Sequence, residues 1–178
     1  MAYLPCLTIL FLVSAFSTFN GCNAGIALIQ SICKDSQDVQ FCNTIFETDP
    51  RSATADLHGL ALIAISNTIL EIQDTLSRIP GILSQLRRNP LGKKRLIICQ
   101  SDYNNSLKKF QSAFSSTSKN AYWDAINYIR DGTNVVIDCH NNYRRGGPIA
   151  TSPINDDDLK VFKLSEIILL VINRILVK

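Results

Sequence analysis

The stretch SICKDSQDVQFCN, residues 31–43, sets Cys33 and Cys42 nine positions apart across a mostly polar segment. In a reducing compartment such a pair points to metal or redox chemistry, and in an oxidising one to a bridge. The N-terminus decides between them. Residues 1–24 contain no Lys, Arg, Asp or Glu, and LTILFLVSAF within them is an apolar run of the length of a secretory h-region, too short to span a membrane. Cys22 and Ala24 place small residues at the minus three and minus one positions of a cleavage site, so a signal peptide over residues 1–24 is expected, cut after Ala24.

Cleavage would remove Cys6 and Cys22 and leave Cys33, Cys42, Cys99 and Cys139. An even set in an oxidising compartment predicts two disulfides. Three pairings are open, and chain entropy favours Cys33–Cys42, which leaves Cys99–Cys139. By loop closure the short bridge contributes roughly 3 kcal/mol and the long one about 4 kcal/mol. No CxxC pair occurs and neither histidine stands at finger spacing, so no metal site is expected. Residues 25–178 suit one domain. With 18 basic and 15 acidic residues, the net charge of +3 is too small to imply a nucleic-acid partner.

From Gly25 onward the helical period dominates, with no alternating strand pattern. IALIQSIC and DVQFCNTIF read as two short helices joined by KDSQ, with Asp38 as a cap on the second. Segments this short are unstable alone, and a bridge across the joint makes them a helical hairpin over 25–48. After TDPRSAT, where Pro50 and a capping Ser or Thr signal a helix start, Leu57, Ala61, Ala64, Thr68, Ile72, Leu76, Ile79, Leu83 and Leu86 form one stripe. Pro80 and Gly81 predict a kink or break in it. RRNPLGKKR, residues 87–95, reads as the loop that turns the chain.

Leu96, Cys99, Tyr103, Leu107, Phe110 and Phe114 put Cys99 on a buried helical face, and Tyr122, Ala125, Ile129, Gly132, Val136, Cys139 and Tyr143 do the same for Cys139. A last helix is expected from about Leu159 to Val177, its second half buried nearly all round. The expected fold is therefore all-α: an up-and-down four-helix bundle over 54–178, preceded by the disulfide-clipped hairpin.

Catalytic constellations are missing from this pattern. His58 and His140 read as ordinary helix residues, and no GxSxG, HExxH, GxGxxG or Walker motif occurs, so no catalytic residue, metal or cofactor is expected. Asp156, Asp157 and Asp158 are explained by capping and by the helix dipole more simply than by calcium. Arg87, Arg88, Lys93, Lys94 and Arg95 read as a solvated loop end rather than a contact for anionic polysaccharide. Asn104, followed by Asn105 and Ser106, is a candidate glycosylation site. Trp123 is accounted for by packing, with an exposed contact anchor as the alternative.

Taken together, SICKDSQDVQFCNTIFETDPRSATADLHGLALIAIS, CQSDYNNSLKKF, AINYIRDGTNVVIDCHNNYRRG and SPINDDDLKVFKLSEIILLVINRIL resemble the plant invertase and pectin methylesterase inhibitor family over essentially all of the chain after the leader. In that family the first two cysteines close an N-terminal helical hairpin and the last two cross-link the bundle. The resemblance implies a secreted protein, in the apoplast, cell wall or vacuole, that blocks the substrate cleft of pectin methylesterase or acid invertase in a one-to-one complex. It implies no membrane association after leader removal and transfers no interface residue. Invertase inhibitors of the family carry a Pro-Lys-Phe tripeptide between the third and fourth bundle helices, where this sequence is expected to place SSTSKNAYW; the absence of the tripeptide favours pectin methylesterase. A non-inhibitory binding or carrier module, with a large internal cavity, is the alternative from another class.

Overall fold

The computed structural model describes residues 25–177, and the expected leader with its cleavage after Ala24 lies outside them. Helix α1 spans 25–33 and α2 spans Val39–Glu47. The carboxylate of Asp38 caps α2 by accepting from the Phe41 N–H at 3.0 Å. Cys33 and Cys42 are bonded, their Cα atoms 5.4 Å apart, so the two short helices leave the polar joint as a clipped hairpin. The hairpin docks on the last helix through Lys163 Nζ to Asp38 at 2.8 Å and through Glu166, which accepts from the Gln37 N–H at 2.8 Å. Ile29, Ile32 and Phe46 enter the common core.

Four longer helices follow: α3 (Leu57–Gln85), α4 (Pro90–Ser118), α5 (Tyr122–Asn142) and α6 (Asn155–Leu176). Helix α3 packs on α4 and α6, and α5 packs on the same two, which closes a ring. Cross-links fix the directions. Cys99 bonds Cys139, and one helical stretch further along α4 Lys109 Nζ meets Asp131 at 2.8 Å, so advancing along α4 means retreating along α5. Arg78 with Asp157 at 2.7 Å and Glu71 with Lys160 at 2.7 Å show the same for α3 and α6. The arrangement is an up-and-down bundle, all-helical among the described residues.

Several boundaries depart from the sequence reading. Pro50–Thr54 forms a short 3₁₀ turn capped by Asp49, and α3 starts only at Leu57, capped by Asp56, whose carboxylate accepts from the Gly59 N–H at 2.8 Å. Aspartate thus takes the place expected for Ser or Thr. No break occurs at Pro80 and Gly81: α3 continues to Gln85. Both residues are exposed, so the carbonyl that Pro80 leaves without a backbone partner faces the solvent side, where water can satisfy it. The turn after α3 is shorter than expected. Asn89 caps α4 by accepting from the Gly92 N–H at 2.9 Å and Pro90 opens the helix, so Lys93, Lys94 and Arg95 are helical.

Helix α6 begins at Asn155 rather than near Leu159, because the three aspartates occupy its first turn, where the positive end of the dipole favours them. Its second half is not buried all round: Ile167, Ile168, Val171 and Ile172 are in the core, whereas Asn173 and Val177 are exposed.

Candidate functional site

Two polar groupings of the bundle bear on function, one inside and one on the surface. Inside, Asp158 is fully buried and accepts from the Tyr103 hydroxyl at 2.8 Å. His140 Nδ1 lies 3.3 Å from its other carboxylate oxygen, and the bridged Cys139 sulfur is 3.8 Å away. Burial pushes the Asp158 carboxyl up to about 7; the Tyr103 hydrogen bond opposes that rise and the neighbouring Asp157 adds to it. Burial, followed by the adjacent Asp158, pushes the Tyr103 phenol well above its ordinary value. Capping does not describe these aspartates. Asp157 pairs with Arg78 of α3, and Asp158 at the start of α6 ties that helix to the middle of α4 and the end of α5. A carboxylate and a phenol sealed from solvent beneath a half-buried imidazole can hold a proton but cannot reach a substrate.

The sequence does carry a signal for this centre. Asp158, Val161, Ser165, Ile168 and Val171 or Ile172 follow each other in steps of three and four, all buried, so Asp158 lies in register with the core stripe of its helix. Arg95 was missed in the same way. It precedes Cys99 by four positions, is only 4% exposed, and stands apart from its exposed neighbours Lys93 and Lys94.

On the surface, the α4–α5 turn presents an aromatic side chain on a fixed base. Asn120 turns the chain in the left-handed region, with φ 59°, a conformation its short polar side chain tolerates. The Tyr122 hydroxyl donates to Asn120 Oδ1 at 2.9 Å and lies 2.9 Å from His58 Nδ1, which leaves the imidazole as donor to the phenol oxygen. His58 therefore ties the start of α3 to the start of α5. Trp123, the next residue, is 70% exposed and not packed as expected. Further along, α5 and α6 separate enough to leave an open groove of about 340 Å³, lined by Phe162, Leu169 and Leu170 with Arg130 and Glu166 at its edges.

The bonded pair Cys99–Cys139 joins α4 to α5, with Cα atoms 4.7 Å apart and both residues fully buried. Asn104 is exposed on α4 with its amide donating to the Gln100 carbonyl at 2.8 Å, while Ser106 of the same sequon is buried. SSTSKNAYW lies at the junction of α4 and α5, the second and third bundle helices, and not between the third and fourth as expected. The connection between the third and fourth, residues 143–154, contains RRGGPIATSP, and Pro-Lys-Phe occurs at neither place.

A family model described as plant invertase/pectin methylesterase inhibitor matches residues 27–171. The chain is 38% identical over 148 residues to pectinesterase inhibitor 5 of Arabidopsis thaliana, covering 83% of this chain and 82% of the relative. It is 27% identical over 177 residues to a pectinesterase inhibitor of Actinidia deliciosa, covering 96% and 91%. Similarity to cell wall / vacuolar inhibitor of fructosidase 2 of Arabidopsis thaliana is 29% over 118 residues, covering 66% of each chain. The crystal structure of a mutant form of a pectin methylesterase inhibitor from Arabidopsis superposes with a TM-score of 0.70 at 19% identity, over 82% of this chain and 95% of that one, which shows a shared fold. The clipped hairpin, the cross-linked bundle and the family match over most of its length together place this chain in the plant invertase/pectin methylesterase inhibitor family.

Proposed function

We propose that this protein, secreted after removal of residues 1–24, inhibits pectin methylesterase in the plant cell wall by covering the enzyme's substrate cleft in a one-to-one complex. The observation that carries the choice of target is the 38% identity to a pectinesterase inhibitor over more than four fifths of both chains, against 29% over two thirds for a fructosidase inhibitor. The missing Pro-Lys-Phe tripeptide favours the same choice.

Blocking of this kind requires shape and rigidity, not chemistry. A surface already held by two disulfides and by the Asp158 centre loses little conformational entropy on docking, so more of the contact energy appears as affinity. Trp123, exposed beside a Tyr122 that His58 and Asn120 hold in place, has the features of an anchor: large area, few rotatable bonds and a fixed backbone. The carrier reading is less well supported, because the grooves of about 340, 380 and 280 Å³ all open to solvent. The decisive test adds the oxidised chain, residues 25–178, to plant pectin methylesterase and, in parallel, to acid invertase near pH 5. Loss of pectin methylesterase activity alone is expected. Loss of invertase activity alone would transfer the protein to the other target, and loss of neither would remove the reading.

A further inference from the structure

At the end of the bundle where α3 turns into α4, a hollow of about 380 Å³ opens between Leu91 and Arg95 on one side and the 143–154 connection on the other. Arg95 forms part of its wall. The guanidinium is held by two backbone carbonyls, Nη1 donating to Pro148 at 3.0 Å and Nη2 to Arg145 at 3.0 Å, and it lies 5.6 Å above the centroid of the Tyr143 ring. The loop reaches it through Gly146 and Gly147, both at positive φ; a Cβ on Gly147 would stand 3.2 Å from Leu91 and 3.5 Å from Arg95 Nη2. No carboxylate among the described residues pairs with Arg95, although the side chain is nearly all buried. A buried charge is ordinarily paired with an opposite one, and carbonyl dipoles supply only part of that compensation.

A second group in the same wall is only weakly partnered. The Tyr143 hydroxyl is buried without a hydrogen bond of ordinary geometry; the Ser152 hydroxyl, which accepts from the Ile154 N–H at 3.2 Å and keeps its own proton to donate, is its near neighbour. Next in sequence to the lining residues Leu86, Gly92, Arg95 and Tyr143, the side chains of Arg87, Arg88, Lys93, Lys94, Arg144 and Arg145 are all exposed. Residues 86–101 and 139–155 contain no Asp or Glu; of the acids that flank them, Asp157 is paired with Arg78 and Asp158 with Tyr103.

We infer that this hollow is a carboxylate-binding subsite for an acidic sugar chain, with the ligand's carboxylate facing the Arg95 guanidinium and the Tyr143 hydroxyl, and further uronate residues running over the basic rim. The choice of a uronate rests on the function proposed above: hydrolysis of a pectin methyl ester leaves a sugar carboxylate, so the product of the target enzyme has the chemistry that fits. Leu91 and Pro153 give the hollow apolar wall against which a sugar ring can pack. The site would hold the inhibitor on de-esterified polymer, close to the enzyme that made it. The residues concerned are separate from Trp123 at the other end of α5.

The test is direct titration of the oxidised chain with oligogalacturonate and with the same oligomer fully methyl-esterified, at about 0.15 M salt. The acid form is expected to bind and the ester to bind at least about tenfold more weakly, the loss of a charge-assisted contact. Tyr143→Phe is expected to weaken acid binding by roughly tenfold with an unchanged melting temperature. Arg87→Gln with Arg88→Gln, both surface changes, should weaken it and flatten its salt dependence. Equal binding of acid and ester, binding of neither, or native affinity in Tyr143→Phe would each overturn the site. No enzyme is present in the titration, so its outcome is independent of whether the chain inhibits pectin methylesterase.

Discussion

The Tyr103 hydroxyl donates to the Asp158 carboxylate at 2.8 Å with both side chains fully buried, joining the middle of α4 to the first turn of α6. His140 approaches the same carboxylate from α5, and Arg78 of α3 holds the adjacent Asp157. All four bundle helices are thus fastened around the start of α6, through aspartates that local sequence rules assign to capping.

The buried carboxylate gives the fold a pH dependence of defined sign. Its folded pKa of about 7 lies above the ordinary 3.8, so the folded chain holds this proton more tightly than the unfolded one. The associated stability is complete below about pH 4, declines as pH rises and is gone above about pH 7. Asp158→Asn stays neutral and keeps an oxygen for Tyr103. Urea unfolding at about pH 4, 6 and 8 should show a gap opening in the variant's favour, on the order of 2–4 kcal/mol at the highest pH. A gap that does not change with pH would contradict the assignment.

Replacing Cys99 and Cys139 together by Ser removes a link that closes a long loop between two buried positions. A loss of about 2–5 kcal/mol is expected, lowering Tm by roughly 5–15 °C. An unaltered thermal scan under non-reducing conditions would show that the bridge does not constrain the bundle.

Gly132 packs closely against α4. A Cβ there would stand 2.8 Å from the Phe110 ring and 3.2 Å from the Lys109 Cβ, and Phe110 is fully buried with little room to move. Gly132→Ala gains about 1 kcal/mol of helix propensity but overfills the contact at a cost of about 1–3 kcal/mol. Net destabilisation is expected by calorimetry; a more stable variant would mean that the ring shifts freely.

Trp123 tests the docking proposal. Since it is 70% exposed, Trp123→Ala should leave Tm unchanged while weakening inhibition of pectin methylesterase by about thirtyfold, the loss of one hot-spot side chain of about 2 kcal/mol. Full inhibition by the variant would move the contact surface elsewhere on the bundle.

The alternation of three and four between core residues made most of the fold legible, because burial on one side of a helix imposes that period whatever the neighbouring helix is. It found the stripe of α3, the inward positions of Cys99 and Cys139, and the capped hairpin around Asp38. Local breaker rules were less reliable. Pro80 did not end α3, because a missing backbone hydrogen bond matters little on a hydrated face. Trp123 was read as packed because its size favours burial, and nothing in its immediate neighbours reveals that no helix lies opposite.

The sequence by itself determined the helical class, the order of the long helices, the cysteine positions and the family, since each depends on residue types at fixed spacing. Tertiary structure alone decided which polar residues are buried and what they meet: Asp158 against Tyr103 and His140, Arg95 against two carbonyls without a carboxylate, Trp123 against solvent. The physical reason is that the cost of burying a charge depends on partners distant in the chain, and residues 18 to 55 positions apart become neighbours only when the helices assemble.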